Sequence, residues 1–135
     1  MQRIKKEAID LLCQLIRIPA YSRDEKAKAD FLQQHIEKTM GFKTNRLDNN
    51  IWIQSAEFRD DRPTLLLNAH IDTVNASPEY SFDPYQPHYE VAARTIGAIF
   101  GKEFSEDEIV AGLGSNDDGA SVVAMIAAYR YFLDI

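Results

Sequence analysis

The sequence of 135 residues contains a single cysteine, Cys13, so no internal disulfide can form. Positive charge is also scarce, since 15 Lys and Arg face 21 Asp and Glu and leave a net charge of −6. Proteins that bind nucleic-acid phosphates need a basic surface, so this balance argues against a nucleic-acid partner. No apolar run approaches membrane-spanning length, and the N-terminal MQRIKKEAIDLL lacks the apolar core of a signal peptide. We therefore expect no membrane partner, a reducing cytoplasmic location and a Cys13 that is buried in a helix.

Three segments have the apolar spacing of helices. Near the N-terminus, apolar residues at i, i+4 and i+7 predict an amphipathic helix that ends near Pro19. Ser22 and Glu25 have the spacing of a capping box, which predicts a second helix that stops at Gly41. Residues 120–133 are apolar on nearly all sides, which predicts a helix in a buried position.

The strand signals lie between these helices. Residues 42–47 and 51–55 alternate like two strands joined by a hairpin turn at Asn49-Asn50. Residues 64–69 form a short apolar run, typical of a strand that is covered on both faces. Together with the helices, these signals predict an α/β fold in which helices flank a mostly parallel, mixed sheet. We find no internal repeat, low-complexity tract or linker.

Polar residues follow the predicted buried strand at its carboxyl end, where α/β sheets place their chemistry. His70 comes directly after the strand, and Asp72 would point to the same side if the chain stayed extended. A histidine ligand normally donates its second ring N–H to a carboxylate, which fixes the tautomer. His-x-Asp is therefore a compact metal-ligand motif, although a single histidine after a strand is more often a turn or core residue.

A second motif, GLGSNDD, precedes the helix at 120–133. Gly112 and Gly114 allow a tight turn, and Asp117 and Asp118 place carboxylates where the helix begins. A helix N-terminus favours negative charge by roughly 0.3–1 kcal/mol, so capping alone could explain one aspartate. It does not explain two of them beside a glycine-rich turn.

Taken together, HIDTV and GLGSNDDGA resemble the two opening signatures of the acetylornithine deacetylase, succinyl-diaminopimelate desuccinylase and carboxypeptidase-type zinc hydrolases. LIRIPAYSRDE and FDPYQP are similar to further segments of that family. The resemblance implies that His70 is a ligand of one zinc ion and that Asp117 bridges two zinc ions, with cobalt as a possible substitute. It implies that Asp72 is a catalytic residue that orients His70. It also implies a cis peptide bond between Asp117 and Asp118.

The sequence GLGSND followed by GASVV most resembles that of acetylornithine deacetylase-like members. This implies an amidohydrolase that removes the acyl group of a small N-acyl amino acid by two-zinc hydroxide attack, as in arginine biosynthesis. The complete family fold is a homodimer. In the family, a Glu-Glu pair, a later acidic residue and a histidine follow the bridging aspartate. We therefore expect residues 1–135 to be an incomplete catalytic domain, without the lid and dimerisation domain, and to be inactive alone.

Two other function classes stay open at this point. A strand, G-x-G-x-x and a helix also resemble a dinucleotide-binding fold, but Asp117 stands where the third glycine is expected and would repel a pyrophosphate. A non-catalytic fragment that keeps the fold elements is the other alternative. His35 and His88 are expected to be structural, and the aromatic run at positions 80, 82 and 85 is expected to pack a long loop. The segment 87–110 is longer than the family usually has and shows no clear period.

Overall fold

The computed structural model describes residues 2–105 and 109–133. Four α-helices and one pair of short strands organise this part of the chain. They are α1 Gln2–Ile16, α2 Lys26–Gln34, β1 Asn45–Leu47, β2 Asn50–Trp52, α3 Glu90–Phe100 and α4 Ala120–Leu133. A π-type turn, His35–Thr39, extends α2, and an irregular turn, Ser115–Gly119, leads into α4.

The core lies between α1, α2 and the first turns of α4. The apolar face of α1 supplies half of it, because its leucines and isoleucine recur every three or four residues along the helix. An ion pair between Glu7 and Arg130 joins α1 to α4 outside this core. Cys13 is buried in α1, as predicted. The buried core residues are Leu11, Leu12, Leu15, Ile16, Leu32, Ile36, Val122 and Val123.

The predicted hairpin is present but shorter than expected. β1 and β2 pair antiparallel with Asn45 opposite Trp52 and Leu47 opposite Asn50. The turn residues are therefore Asp48 and Asn49, one position earlier than the predicted Asn49-Asn50. Asp48 has φ of +52°, a left-handed conformation that short polar side chains tolerate.

The predicted mostly parallel sheet flanked by helices is wrong. Within residues 2–105 and 109–133 the sheet consists of β1 and β2 alone, and the architecture is mainly helical. Residues 64–69 make no backbone hydrogen bond to another described segment, and Leu65 and Leu66 are 82% and 81% exposed. An apolar run shows that a segment is suited to a buried strand, but the run supplies neither the neighbouring strand nor the covering layer.

The start of the second helix also differs from the prediction. The capping box is wrong, because Ser22 donates its hydroxyl hydrogen bond to Asp72 instead of to the helix. Glu25 occupies the cap position without a side-chain cap, and its carboxylate accepts from the Arg23 N–H. The predicted end is close to the observed one, since Gly41 follows the π-type turn with φ of +74°.

Helix α3 was not predicted from the sequence, whereas α4 has the predicted bounds. α3 lies in the segment 87–110, of which residues 106–108 are outside the described residues, and it ends at Gly101 in the left-handed conformation. The buried position predicted for α4 holds for its first turns only, because Phe132 and Leu133 are exposed. None of the helices in the described ranges is both long and apolar enough to cross a lipid bilayer.

Two leucine-to-alanine variants distinguish the observed fold from the predicted buried strand. Leu11 is 2% exposed, so Leu11→Ala should lower the free energy of unfolding by about 2–5 kcal/mol. Leu66→Ala should change it by no more than about 0.5 kcal/mol, because the side chain is exposed. Urea unfolding measures both values, and a cost above about 2 kcal/mol for Leu66→Ala would contradict the exposed position of this segment.

Candidate metal centre

The segment that carries His70 and Asp72 is fixed to the loop that follows α1. The backbone N–H of Thr73 donates to the carbonyl of Ala20 at 2.7 Å. The Thr73 hydroxyl donates to the same carbonyl at 3.3 Å. Thr73 is 8% exposed, so these two bonds are shielded from water. The chain direction at Asp72 is thereby set by the end of α1.

The segment that carries Asp117 is fixed to α1 by glycines. A Cβ at Gly112 would lie 2.6 Å from Ile16 Cγ2, and a Cβ at Gly119 would lie 2.9 Å from Leu12 Cδ1. At Gly112 the clash is with α1 itself, whereas at Gly119 a Cβ would also lie 2.5 Å from the backbone oxygen of Gly114, so both positions need glycine. The Gly119 N–H donates to the carbonyl of Gly114 at 2.9 Å and closes the turn before α4. Between Asp117 and Asp118 the peptide bond is cis, as the resemblance implies.

His70 lies between two carboxylates. Its Nδ1 is 3.0 Å from Asp72 Oδ1, and its Nε2 is 3.0 Å from Asp117 Oδ1. The three side chains thus meet although 47 positions separate His70 from Asp117. They meet at the junction of α1, α4 and two loops, and not at the edge of the predicted parallel sheet.

The two carboxylates differ in how firmly they are held. The Asp72 side chain is 31% exposed and also accepts a hydrogen bond from Ser22, whereas the Asp117 side chain is 87% exposed. The Ser22 hydrogen bond, followed by burial, which opposes it, and by the charge of His70, keeps the pKa of Asp72 below its usual value. Asp72 is therefore held by two partners, whereas His70 is the one partner of the Asp117 carboxylate among the described residues.

The charges around the ring also act on His70. Partial burial lowers the pKa of His70, but the hydrogen bond to Asp117 and the negative charge of Asp72 outweigh this effect and raise it overall. A ring with a carboxylate on each nitrogen favours the imidazolium form. Metal binding would have to displace the proton on Nε2, so affinity for a metal should depend on pH.

The donor set fits a zinc ion in chemical type. Zinc is bound by histidine nitrogens and carboxylate oxygens, and two donors of one tetrahedral ion lie roughly 3.3 Å apart. The 3.0 Å separation of His70 Nε2 and Asp117 Oδ1 is close to that value. Asp72 contacts the other ring nitrogen, which is the usual place for a carboxylate behind a histidine ligand.

The described part of the chain offers two direct donors at this point. No group of three or more His, Cys, Asp or Glu side chains there is arranged to hold a metal ion. Asp72 does not change this, since its contact with the far side of the His70 ring points it away from the Nε2 side. A metal at His70 and Asp117 would therefore keep an open, water-rich coordination shell.

Two residues of the site had no signal in the sequence. Ser22 has the spacing of a helix cap, and only its hydrogen bond to Asp72 shows its place in the site. Lys28 lies on α2, yet it is 5% exposed and lines the same small cavity as His70 and Asp72. Lysines on amphipathic helices usually face solvent, so nothing in the local pattern marks this one.

The other histidines have structural surroundings. His88 Nε2 is 3.2 Å from the Asp83 carbonyl, and its ring packs against Phe82. His35 lies beside the ring of Phe31, and burial lowers its pKa. Within the aromatic run Tyr80 contacts Phe82 edge-on, whereas Tyr85 reaches a residue outside the loop, since its hydroxyl is 2.8 Å from that of Tyr21.

No protein-family model matches the chain. The resemblance to the zinc hydrolases therefore stays a prediction that rests on the residues quoted for it. The geometry around His70 is independent of that resemblance.

Gly114 tests how tightly the turn before α4 is packed against the His70 segment. Gly114 and Gly41 have nearly the same φ, +75° and +74°, so alanine should cost each about 1–2 kcal/mol of stability. A Cβ at Gly114 would also lie 2.5 Å from Thr73 Cγ2, whereas no described atom lies within 4 Å of one at Gly41. Gly114→Ala should therefore cost about 1–3 kcal/mol more than Gly41→Ala in urea unfolding. Equal costs would show that this contact is loose.

Proposed function

We propose that this chain contributes to a metal-dependent amidohydrolase site that removes the acyl group of a small N-acyl amino acid. The observation that carries the proposal is the position of His70 between a fixed and a free carboxylate, each 3.0 Å from a ring nitrogen. Capping would require neither the contact between Asp117 and His70 nor the second carboxylate behind the ring. A metal-ligand histidine usually has a hydrogen-bond acceptor such as a carboxylate behind its ring, and the carboxylate of Asp117 on the other side is of a type that binds zinc.

Each residue has a distinct role in this proposal. Asp72 accepts the Nδ1 proton of His70, so that Nε2, once a metal displaces its proton, would be the ring nitrogen that binds on the side of Asp117. Ser22 donates to Asp72 and keeps that carboxylate in place. Asp117, which is exposed and unconstrained by other partners in the described residues, is free to turn from His70 to a shared metal ion.

Zinc held by His70 and Asp117 would polarise an amide carbonyl and would supply hydroxide near neutral pH. The part of the chain that the structure describes provides two direct ligands, so we expect weak zinc binding. The sequence contains no Glu-Glu pair of the kind that the resemblance implies for the general base. We therefore expect no deacetylase turnover from these 135 residues alone.

The substrate class and setting follow from the resemblance. The acetylornithine deacetylase-like sequence around Asp117 favours small N-acyl amino acids over peptides as substrates. We also propose a cytoplasmic location, because a single cysteine and an acidic surface suit a reducing compartment and small-molecule chemistry. The homodimer of the complete family fold is likewise part of this proposal.

Zinc titration tests the site. Wild-type protein should bind Zn²⁺ weakly in calorimetry, and Co²⁺ should give the visible absorption of an open site. His70→Gln removes a direct donor and should weaken binding by more than the roughly 10–100-fold that is typical of changes behind a ligand. Asp117→Asn should have a similar effect. His35→Gln is the matched control, since His35 packs against Phe31 on the extension of α2.

Two results would contradict the proposal. Equal zinc affinity in wild-type protein and His70→Gln would place any binding elsewhere. Absence of binding in both would leave a non-catalytic fragment as the better interpretation. Robust hydrolysis of N-acetylornithine by the purified chain would instead contradict the expected inactivity and would require further ligands within these residues.

A further inference from the structure

Lys28 is a buried lysine whose ammonium has no hydrogen-bond or ion-pair partner in the part of the chain that the structure describes. Together with apolar residues of α1, including Leu12 and Ile16, it lines a small cavity. Burial of a lysine costs free energy unless its ammonium keeps contact with water or a nearby charge compensates it. If only apolar packing mattered at this position, methionine or leucine would fill it equally well.

Lys28 lines the same cavity as the candidate site. Lys28, His70 and Asp72 all line a cavity of about 10 Å³, a volume that holds about one water molecule. No described side-chain nitrogen or oxygen is both fully enclosed and without a partner. The Lys28 Nζ must therefore be open to this cavity or to solvent, and its charge acts on Asp72 through space or through one water.

The electrostatics agree with this placement. Burial lowers the pKa of Lys28, and the negative charge of Asp72 is the influence that raises it. Asp72 in turn has Ser22 on one oxygen, Oδ2, and His70 on the other, Oδ1. A positive charge on the cavity side would complete the set of groups around this carboxylate.

We propose that Lys28 is a positioning residue which, from the buried side of the cavity, holds the Asp72 carboxylate against Nδ1 of His70. The inference deepens the proposed function, because it concerns the residues behind the metal ligand His70. It rests on burial and shared cavity walls, and it applies to the metal-free protein as well. Its first test therefore needs no metal.

The consequence is an asymmetry between the two ring nitrogens of His70. A carboxylate held by Ser22 and Lys28 protects the Nδ1 proton from exchange with water. Asp117 is 87% exposed, so a proton on Nε2 exchanges rapidly. Without Lys28, Asp72 would keep a single fixed partner besides the ring, and the Nδ1 proton should lose its protection.

Proton NMR of the histidine ring tests this directly. In ¹⁵N-histidine-labelled, metal-free protein at neutral pH, the Nδ1 proton of His70 should give an observable low-field signal. Lys28→Met keeps the length of the side chain and removes its charge, and it should abolish this signal. Lys28→Arg keeps the charge and should retain the signal at least in part.

The control is Lys26→Met on the same helix. Lys26 is 74% exposed and pairs with Asp30, so this variant changes the net charge equally without reaching the cavity. It should leave the Nδ1 signal unchanged. Thermal unfolding establishes that each variant is folded, and replacement of a buried charge by an apolar group need not lower stability.

Zinc titration of the same variants separates this inference from the proposed function. Where wild-type protein binds Zn²⁺, Lys28→Met should weaken binding roughly 10–100-fold, and Lys26→Met should not. If wild-type protein binds no zinc, the proposed function fails while the NMR result still decides the role of Lys28. A folded Lys28→Met protein with an unchanged Nδ1 signal and unchanged zinc affinity would overturn the inference.

Discussion

The packing of α1 against the turn that precedes α4 is the constraint on which the rest of the structure depends. Leu12 packs against Gly119 and Ile16 packs against Gly112, and a Cβ at either glycine would lie within 3 Å of that side chain. The same helix ends in the loop whose carbonyl at Ala20 holds Thr73. One helix therefore positions both halves of the candidate site, so His70 and Asp117 meet without a parallel sheet between them.

The chemistry of the site follows from unequal restraint on two carboxylates. Asp72 is held by Ser22 and lies by the buried side of the cavity, whereas Asp117 is exposed on a turn. A carboxylate held at Nδ1 orients a histidine ligand. At Nε2, a metal ion would take the place of the proton that His70 shares with Asp117. Both the proposed metal site and the proposed role of Lys28 depend on this difference in restraint, and each can be tested without the other.

Local patterns predicted local structure well. The sequence predicted the bounds of α4, the end of α1 near Pro19 and the presence of the hairpin. These features were predictable because helix periodicity and turn residues act over a few positions. Residues 64–69 are a segment for which the local pattern gave a wrong prediction. Their apolar run predicted a buried strand, but a strand also needs distant partners, and in the described residues Leu65 and Leu66 face solvent. Ser22 failed for a related reason, since a distant carboxylate competed with the nearby helix end.

The sequence by itself determined the chemical groups of the site and their local spacing. His70 with Asp72, and the glycine-rich turn with Asp117, are recognisable as ligand types from the sequence alone. Only the tertiary structure decided that these motifs face each other across 47 residues, that Ser22 binds Asp72, and that Lys28 turns inward. These are contacts between segments far apart in the chain. Their formation depends on how helices pack, and no short-range pattern encodes that packing.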